Sequence, residues 1–154
     1  MSIRRYAKKL LASVQLGNNA IYKILSRQLF KNSGIFLQIG TGNRSQQKLL
    51  SRLAADVPPR VWAIEDTSDR IAELKRSLPG GSTILCSNPI AAQLPDNVSL
   101  CVIATEASRI PDVVEELLYE RLPPALAEGA IVVLPFCRDA STAALTRAGA
   151  FGSV

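Results

Sequence analysis

Histidine is absent from this chain, and its three cysteines are scattered instead of clustered. Histidine is the usual general base and completes the Ser-His and Cys-His nucleophilic pairs, so hydrolases of that type are excluded. Metal ligation needs closely spaced ligands, and no such group is present. Each cysteine lies in or beside an apolar run, which predicts buried free thiols in a reducing compartment for Cys86, Cys101 and Cys137.

Acidic residues are missing from the first 55 positions, which contain ten lysines and arginines. Positions 56–154 contain eight cations and thirteen acids, so a charge of +10 is followed by one of −5. This asymmetry predicts an anionic partner, RNA or a membrane surface, for the N-terminal part. The alternative interpretation is an ordinary solvated helix surface. Four of the cations lie on one face of a predicted amphipathic helix: Arg4, Arg5, Lys8 and Lys9.

Long apolar runs are also missing. None approaches the ~20 residues that a transmembrane helix needs. The start of the chain, MSIRRYAKKLLASVQL, has an interrupted apolar run where a secretory signal has a continuous apolar core. We therefore expect a cytoplasmic protein, although a start with arginine and serine and without acids leaves a transit peptide open.

The chain contains alternating strand and helix patterns from Gly34 onward. Hydrophobic residues make up 47% of the 154 positions, which is enough for one domain with a substantial core. The predicted strands are Ile35–Ile39, Val61–Glu65, Thr83–Cys86, Leu100–Ala104 and Ala130–Pro135. The predicted helices are Ser45–Ala55, Ser68–Ser77, Pro111–Arg121 and Ala140–Ala148. The pattern predicts an α/β fold with a doubly wound parallel sheet of about five strands.

Helices are predicted before the first strand as well. The first is the basic amphipathic helix, and Gly17-Asn18-Asn19 should end it. A second helix is predicted over Ala20–Phe30, closed by Asn32-Ser33-Gly34. Between Cys86 and Val98 the chain is too short and proline-bounded for a full helix, so a loop is predicted there. Residues 1–33 are thus interpreted as a basic helical segment and residues 34–154 as the α/β domain.

A glycine-bearing turn follows the first strand in FLQIGTGNRSQQKLL. Gly40 and Gly42 can adopt backbone angles closed to other residues and let the main chain approach a ligand closely. The helix that follows has unpaired N–H groups at its start, which favour an anionic group. A strand, a glycine turn and a helix in this order are typical of a site for a nucleotide-like cofactor.

Four segments in sequence order resemble class I S-adenosylmethionine-dependent methyltransferases. IFLQIGTGNRS resembles their first motif, and RVWAIEDTSDRIAELKRSL resembles their second strand, which ends in an acid. STILCSNPIAAQLPDNVSLCVIATEAS is similar to the stretch from their third to fourth strand, and ERLPPALAEGAIVVLPF to the approach to strand five. The resemblance covers about residues 34–154. It implies a Rossmann-like fold, S-adenosylmethionine as cofactor, and methyl transfer to an oxygen or nitrogen of a small-molecule or sugar-type acceptor.

The resemblance also implies which residues contact the cofactor. Gly40, Thr41 and Gly42 correspond to the turn beside the methionine part, and Glu65 to the acid that accepts both ribose hydroxyls. Asn88 stands where the family contacts the adenine, usually with an acid. At the end of the fourth strand, Thr105 is the remaining candidate contact. No residue is assigned to proton transfer.

Three further departures from the family pattern are visible. Gln38 stands where the family usually has an acid, and Ser45 replaces the third glycine of dinucleotide-binding turns, which counts against NAD. The pattern stops before the hairpin of strands six and seven, so we expect a truncated or degenerate member. A homo-oligomer or a complex is then expected to cover the sheet edge.

Two alternatives to a methyltransferase remain open at this point. One is a non-catalytic methyltransferase-like module that docks on RNA or an anionic membrane through its basic N-terminal helices. The other is an NAD-type oxidoreductase domain, which Ser45 and the absence of a recognisable hydride-handling residue disfavour.

Overall fold

Five parallel strands form one sheet in the computed structural model of the chain, which describes residues 18–57, 60–104 and 111–133. The strands are β1 (Ile35–Ile39), β2 (Val61–Glu65), β3 (Thr83–Cys86), β4 (Val98–Ile103) and β5 (Leu126–Val133). The helices are α1 (Asn18–Lys31), α2 (Arg44–Asp56), α3 (Ser68–Ser77) and α4 (Pro111–Glu116). A π-helical turn (Leu117–Arg121) and a 3-10 turn (Pro123–Ala125) lead from α4 into β5. The spatial order β3-β2-β1-β4-β5 confirms the predicted doubly wound parallel sheet.

The predicted bounds are confirmed for β1, β2, β3 and α3, while other elements differ at their ends. β4 begins two residues before the predicted start, and β5 begins four before it. The sequence pattern does not reveal the start of β5, because Gly129 interrupts the strand. This glycine has a φ of 75° and lies at a register shift between β4 and β5. The loop between β3 and β4 is confirmed.

The predicted break before the second helix is wrong in part, since α1 already includes Asn18 and Asn19. Asparagine favours helix starts over helix interiors, and both residues lie in the first turn of α1. The predicted helix over Ala140–Ala148 and the predicted helix carrying Arg4, Arg5, Lys8 and Lys9 lie outside the described residues. The proposed division at residues 33 and 34 stays a prediction.

Apolar side chains cover both faces of the sheet, which explains why the strands read as near-continuous apolar runs. Successive residues of β1 alternate between two cores: Phe36 packs with α1, α2 and α3, and Leu37 packs with the π-helical turn and the β3–β4 loop. Strand β4 alternates in the same way. The helix Asn18–Lys31 therefore belongs to the packed layer on one face, through Leu25 and Leu29.

Two polar side chains fasten α1 to the sheet. The Gln28 amide nitrogen donates to the carbonyls of Ser99 and Gly129, both at 3.0 Å, and thereby joins β4 to the bulged part of β5. The Arg60 guanidinium donates to the carbonyls of Leu29, Asn32 and Gly34. These carbonyls lie at the C-terminal end of α1, where a cation is favourable.

The cysteine prediction is confirmed for Cys101 and wrong for Cys86. Cys101 is fully buried in β4, and burial raises the pKa of its thiol far above its ordinary value. Cys86 is exposed because it ends β3, the edge strand of the sheet. Cys137 lies outside the described residues.

A substitution at Gly34 tests how closely the chain before β1 packs against the start of β4. A Cβ at Gly34 would lie 2.5 Å from the Asn97 carbonyl oxygen and 2.8 Å from the Ser99 Cβ. Gly34→Ala should therefore lower the free energy of unfolding by about 1–3 kcal/mol, the usual cost of overpacking. Urea denaturation measures the change. The control is Gly80→Ala, where a Cβ meets nothing within 4 Å, and an equal loss in both variants would contradict the packing described here.

No helix within the described ranges 18–57, 60–104 and 111–133 is both long and apolar enough to cross a membrane.

Candidate cofactor-binding site

The carboxyl ends of β1, β2 and β3 bring most of the predicted site residues to one edge of the sheet. Gly40, Thr41 and Gly42 follow β1 directly, Glu65 ends β2, and Asn88 comes two residues after β3. Strand β1 has β2 on one side and β4 on the other, so successive strands are added on one side of β1 and then on its other side. In open α/β sheets this reversal of strand order opens a crevice in which ligands bind. The last of the predicted contacts, Thr105, lies outside the described residues.

Both glycines of the turn adopt backbone angles that favour glycine, with φ of 86° at Gly40 and 83° at Gly42. The Gly40 N–H donates to the Ile64 carbonyl at 2.8 Å, which fixes the turn to β2. A Cβ at Gly42 would lie 2.4 Å from the Gln46 Oε1 and 2.9 Å from its Cβ. The two glycines are thus required by the conformation of the turn itself.

A capping box begins the helix after the turn. The Asn43 side chain accepts from the Gln46 N–H at 2.9 Å, and the Gln46 side chain accepts from the Asn43 N–H at 3.2 Å. Ser45 lies exposed in the first turn of α2. Because this position does not pack against the strand, the helix has no need for the third glycine of dinucleotide-binding turns.

The capping box supplies a further prediction. Asn43→Ala should lower the free energy of unfolding by about 1 kcal/mol, since it removes an N-cap acceptor. Chemical denaturation measures the change. Thr67→Ala is the matched control, because Thr67 is the N-cap of α3 and makes no side-chain capping hydrogen bond. A loss at Thr67 as large as that at Asn43 would contradict the assignment.

The Glu65 carboxylate is the charged group at the centre of this edge. Only 3% of the residue is exposed, and both of its oxygens are held by neutral donors. The Thr41 hydroxyl donates to Oε2 at 2.7 Å, and the Asp66 N–H donates to Oε1 at 2.9 Å. A carboxylate has about four acceptor positions, so two remain for hydroxyl donors of a ligand. Thr41 is itself buried, and its hydroxyl orients Glu65.

Gln38 adds a buried acceptor that the sequence did not assign to the site. Its amide nitrogen donates to the Gly40 carbonyl at 2.9 Å, so the side chain reaches the glycine turn. Its Oε1 is buried, and it has no hydrogen-bond partner among the described residues. An unsatisfied buried acceptor costs roughly 1–3 kcal/mol. The signal available in the sequence was a polar residue within an otherwise apolar strand.

Asn88 lies in a tight turn beside β3. Its Oδ1 accepts from the Ile90 N–H at 2.9 Å, and its carbonyl accepts from the N–H groups of Ala91 and Ala92. The preceding residue, Ser87, donates its N–H to the Glu65 carbonyl at 3.0 Å. The structure therefore brings Asn88 next to the end of β2, with its side chain exposed and its oxygen engaged in the turn.

In the part of the chain that the structure describes, no three His, Cys, Asp or Glu side chains are grouped so that they could hold a metal ion. The buried Glu65 carboxylate is bound by a hydroxyl and a backbone N–H. In these surroundings the Glu65 carboxylate is suited to accept hydrogen bonds from neutral donors.

Comparison with known proteins identifies the fold. No protein-family model matches the sequence, and no curated protein matches it. The S-adenosylmethionine-bound structure of CalS10, an amino pentose methyltransferase from Micromonospora echinaspora, matches with a TM-score of 0.58 and 15% identity over 78% of this chain and 50% of CalS10. The sugar N-methyltransferase KedS8 from Streptoalloteichus matches with a TM-score of 0.57 and 13% identity over 77% of this chain and 47% of KedS8.

This chain matches a larger share of a third solved structure. The N-methyltransferase NodS from Bradyrhizobium japonicum matches with a TM-score of 0.55 and 17% identity, over 88% of this chain and 75% of NodS. The chain spans about half the length of CalS10 and KedS8. These matches show that the chain has the Rossmann-like fold of S-adenosylmethionine-dependent methyltransferases.

Proposed function

We propose that the chain binds S-adenosylmethionine at the edge formed by the glycine turn and Glu65, and transfers its methyl group to an oxygen or nitrogen of a small-molecule or sugar-type acceptor. The observation that carries this proposal is the buried Glu65 carboxylate, which Thr41 orients beside the glycine turn. Structures of similar fold include a sugar N-methyltransferase and an amino pentose methyltransferase, which supports the acceptor class.

Glu65 fits the ribose of this cofactor. Each of its oxygens already accepts one neutral hydrogen bond and has capacity for another. The two vicinal hydroxyls of a ribose supply two donors with matching spacing. Charge-assisted hydrogen bonds of this kind are stronger than neutral ones, so Glu65 would contribute most of the specificity for a ribose.

Gln38 and the glycine turn fit the methionine part. The Gln38 Oε1 has no hydrogen-bond partner among the described residues, and it can accept from the ligand ammonium group. The glycines at 40 and 42 let the main chain lie close to the ligand. The exposed Asn88 amide would lie beside the adenine. Thr105 remains a proposed contact from the sequence.

Held by Glu65 and the glycine turn, the cofactor would supply an activated methyl group on its sulfonium, and S-adenosylhomocysteine would be the second product. The protein would contribute by fixing the cofactor so that the acceptor meets the methyl group in line. Such positioning can supply several kcal/mol of the barrier reduction. We assign no described residue to the removal of the acceptor proton.

A transfer assay tests this proposal. The full chain is incubated with methyl-labelled S-adenosylmethionine and a panel of amino sugars, sugar alcohols and small amines. Labelled product and S-adenosylhomocysteine should appear together with at least one acceptor, and Glu65→Ala should lower the yield of both when the cofactor is limiting. Cofactor binding without transfer to any acceptor would instead support the second candidate, a non-catalytic methyltransferase-like module, which the cations of α1 and α2 favour.

An oligomer or complex that covers the sheet edge remains a prediction, as does a cytoplasmic location. The NAD-type alternative receives no support from the turn, because Ser45 is exposed where a dinucleotide-binding turn packs a glycine against the strand.

A further inference from the structure

Two rows of exposed cations lie on α1 and α2. Each row has three members at four-residue spacing: Lys23, Arg27 and Lys31 on α1, and Arg44, Lys48 and Arg52 on α2. Residues four apart share a helix face, so each row extends over ~12 Å of helix axis. No acid precedes Asp56 in the sequence, so neither row is interrupted by a carboxylate of its own helix until the end of α2.

The two rows meet where α1 contacts α2. The Arg52 guanidinium lies over the Tyr22 ring at 3.7 Å from its centroid, next to Lys23 in the chain. The Tyr22 hydroxyl donates to the Asp56 Oδ2 at 2.7 Å, so one exposed carboxylate lies at this contact between the helices. The six exposed cations thus lie on two helices that contact each other, and we call them together the α1–α2 basic surface.

Apolar side chains border this surface on α1. Phe30 is 71% exposed and Ile24 is 45% exposed, although both are large apolar residues. With about 100° per residue, Arg27 lies at the middle of the exposed arc, and Phe30 and Ile24 lie about 60° to either side. A helix that lies in a membrane surface has the opposite arrangement, with apolar residues in the middle and cations at the borders.

The arrangement therefore favours the phosphate backbone of a nucleic acid over a lipid bilayer as the binding partner. Rows of lysine and arginine bind a phosphate backbone without reading its sequence. An exposed aromatic ring at the border of such a surface offers a stacking platform for an unpaired base. We propose that the α1–α2 basic surface binds single-stranded nucleic acid, with the backbone along the cation rows and a base against Phe30. This proposal does not depend on methyl transfer.

Fluorescence anisotropy with a labelled single-stranded RNA of mixed sequence, and with the matching DNA, tests the proposal. If each cation neutralises one phosphate, the six contribute about −4 to the slope of log K against log salt, or a ~300-fold loss from 50 to 200 mM salt. Lys23→Gln with Arg27→Gln should reduce the slope by about 1.4. Phe30→Ala should weaken binding at least fivefold without changing the slope.

The matched control removes the same charge elsewhere. Lys75→Gln with Arg76→Gln removes two exposed cations of α3, and it should change the slope much less than the α1 pair. Far-UV circular dichroism shows that each variant is folded. Equal effects of the two pairs would overturn the proposal, because binding would then follow net charge alone. Binding to phosphatidylserine vesicles with no binding to either oligonucleotide would also overturn it.

Discussion

Glu65→Ala should lower the affinity for S-adenosylhomocysteine by about 1.5–3 kcal/mol, or roughly ten- to hundredfold. The reason is that Glu65 is the buried carboxylate at the end of β2, with acceptor capacity left after its bonds to Thr41 and to the Asp66 N–H. Isothermal titration calorimetry measures the change. S-adenosylhomocysteine is used because it carries the same ribose as the cofactor and no reactive methyl group.

Two variants of residues that contact or adjoin Glu65 provide comparisons for this result. Thr41→Val keeps the volume and removes the hydroxyl that orients Glu65, so it should cost less than Glu65→Ala and more than nothing. Asp66→Ala removes the adjacent carboxylate, which is exposed, and should leave the affinity unchanged. A wild-type affinity in Glu65→Ala, or equal losses in Glu65→Ala and Asp66→Ala, would refute the ribose assignment.

Gly40→Val should abolish cofactor binding. Gly40 has a φ of 86°, and a β-branched residue there must either strain the backbone or move the turn. The turn is fixed to β2 through the Gly40 N–H, so its displacement would also move the main chain that faces the ligand. Calorimetry with S-adenosylhomocysteine measures the loss, and far-UV circular dichroism should remain nearly unchanged.

Gly81→Val is the control for Gly40→Val, because it introduces the same kind of backbone strain outside the candidate site. Gly81 has a φ of 100° and is exposed, and a Cβ there would meet nothing within 4 Å. Gly81→Val should therefore lose roughly 1–3 kcal/mol of stability to backbone strain and keep its affinity. Normal binding by Gly40→Val would mean that the turn is only a structural connection.

The positions of most strands were predictable from the sequence because a parallel sheet covered on both faces leaves apolar runs that stand out from their flanks. β1, β2 and β3 were placed to the residue for this reason. The ends of β4 and β5 were not, since polar residues such as Ser99 and Glu128 and the bulge at Gly129 interrupt the pattern. Pairing with a neighbouring strand decides those ends, and local sequence does not contain that information.

The candidate site was predictable in its positions but not in its contacts. The glycine turn and the acid at the end of β2 have sequence signatures, which the resemblance to the methyltransferases used. The hydrogen bond between Thr41 and Glu65 joins residues 24 positions apart, and it follows only from the register of β1 against β2. The Gln38 Oε1 lacks a hydrogen-bond partner among the described residues because it is buried, and the sequence indicates that burial only weakly.

Thermal denaturation of the wild-type chain with S-adenosylmethionine, S-adenosylhomocysteine, NAD and NADP, each in a separate titration, tests the central claim most directly. A ligand at a hundredfold excess over its dissociation constant stabilises the folded state by ~2.7 kcal/mol, which moves the midpoint by several degrees in a domain of this size. We expect S-adenosylmethionine and S-adenosylhomocysteine to raise the midpoint, and NAD and NADP to leave it unchanged. A rise with NAD or NADP alone, or no rise with any of the four, would contradict a site for S-adenosylmethionine.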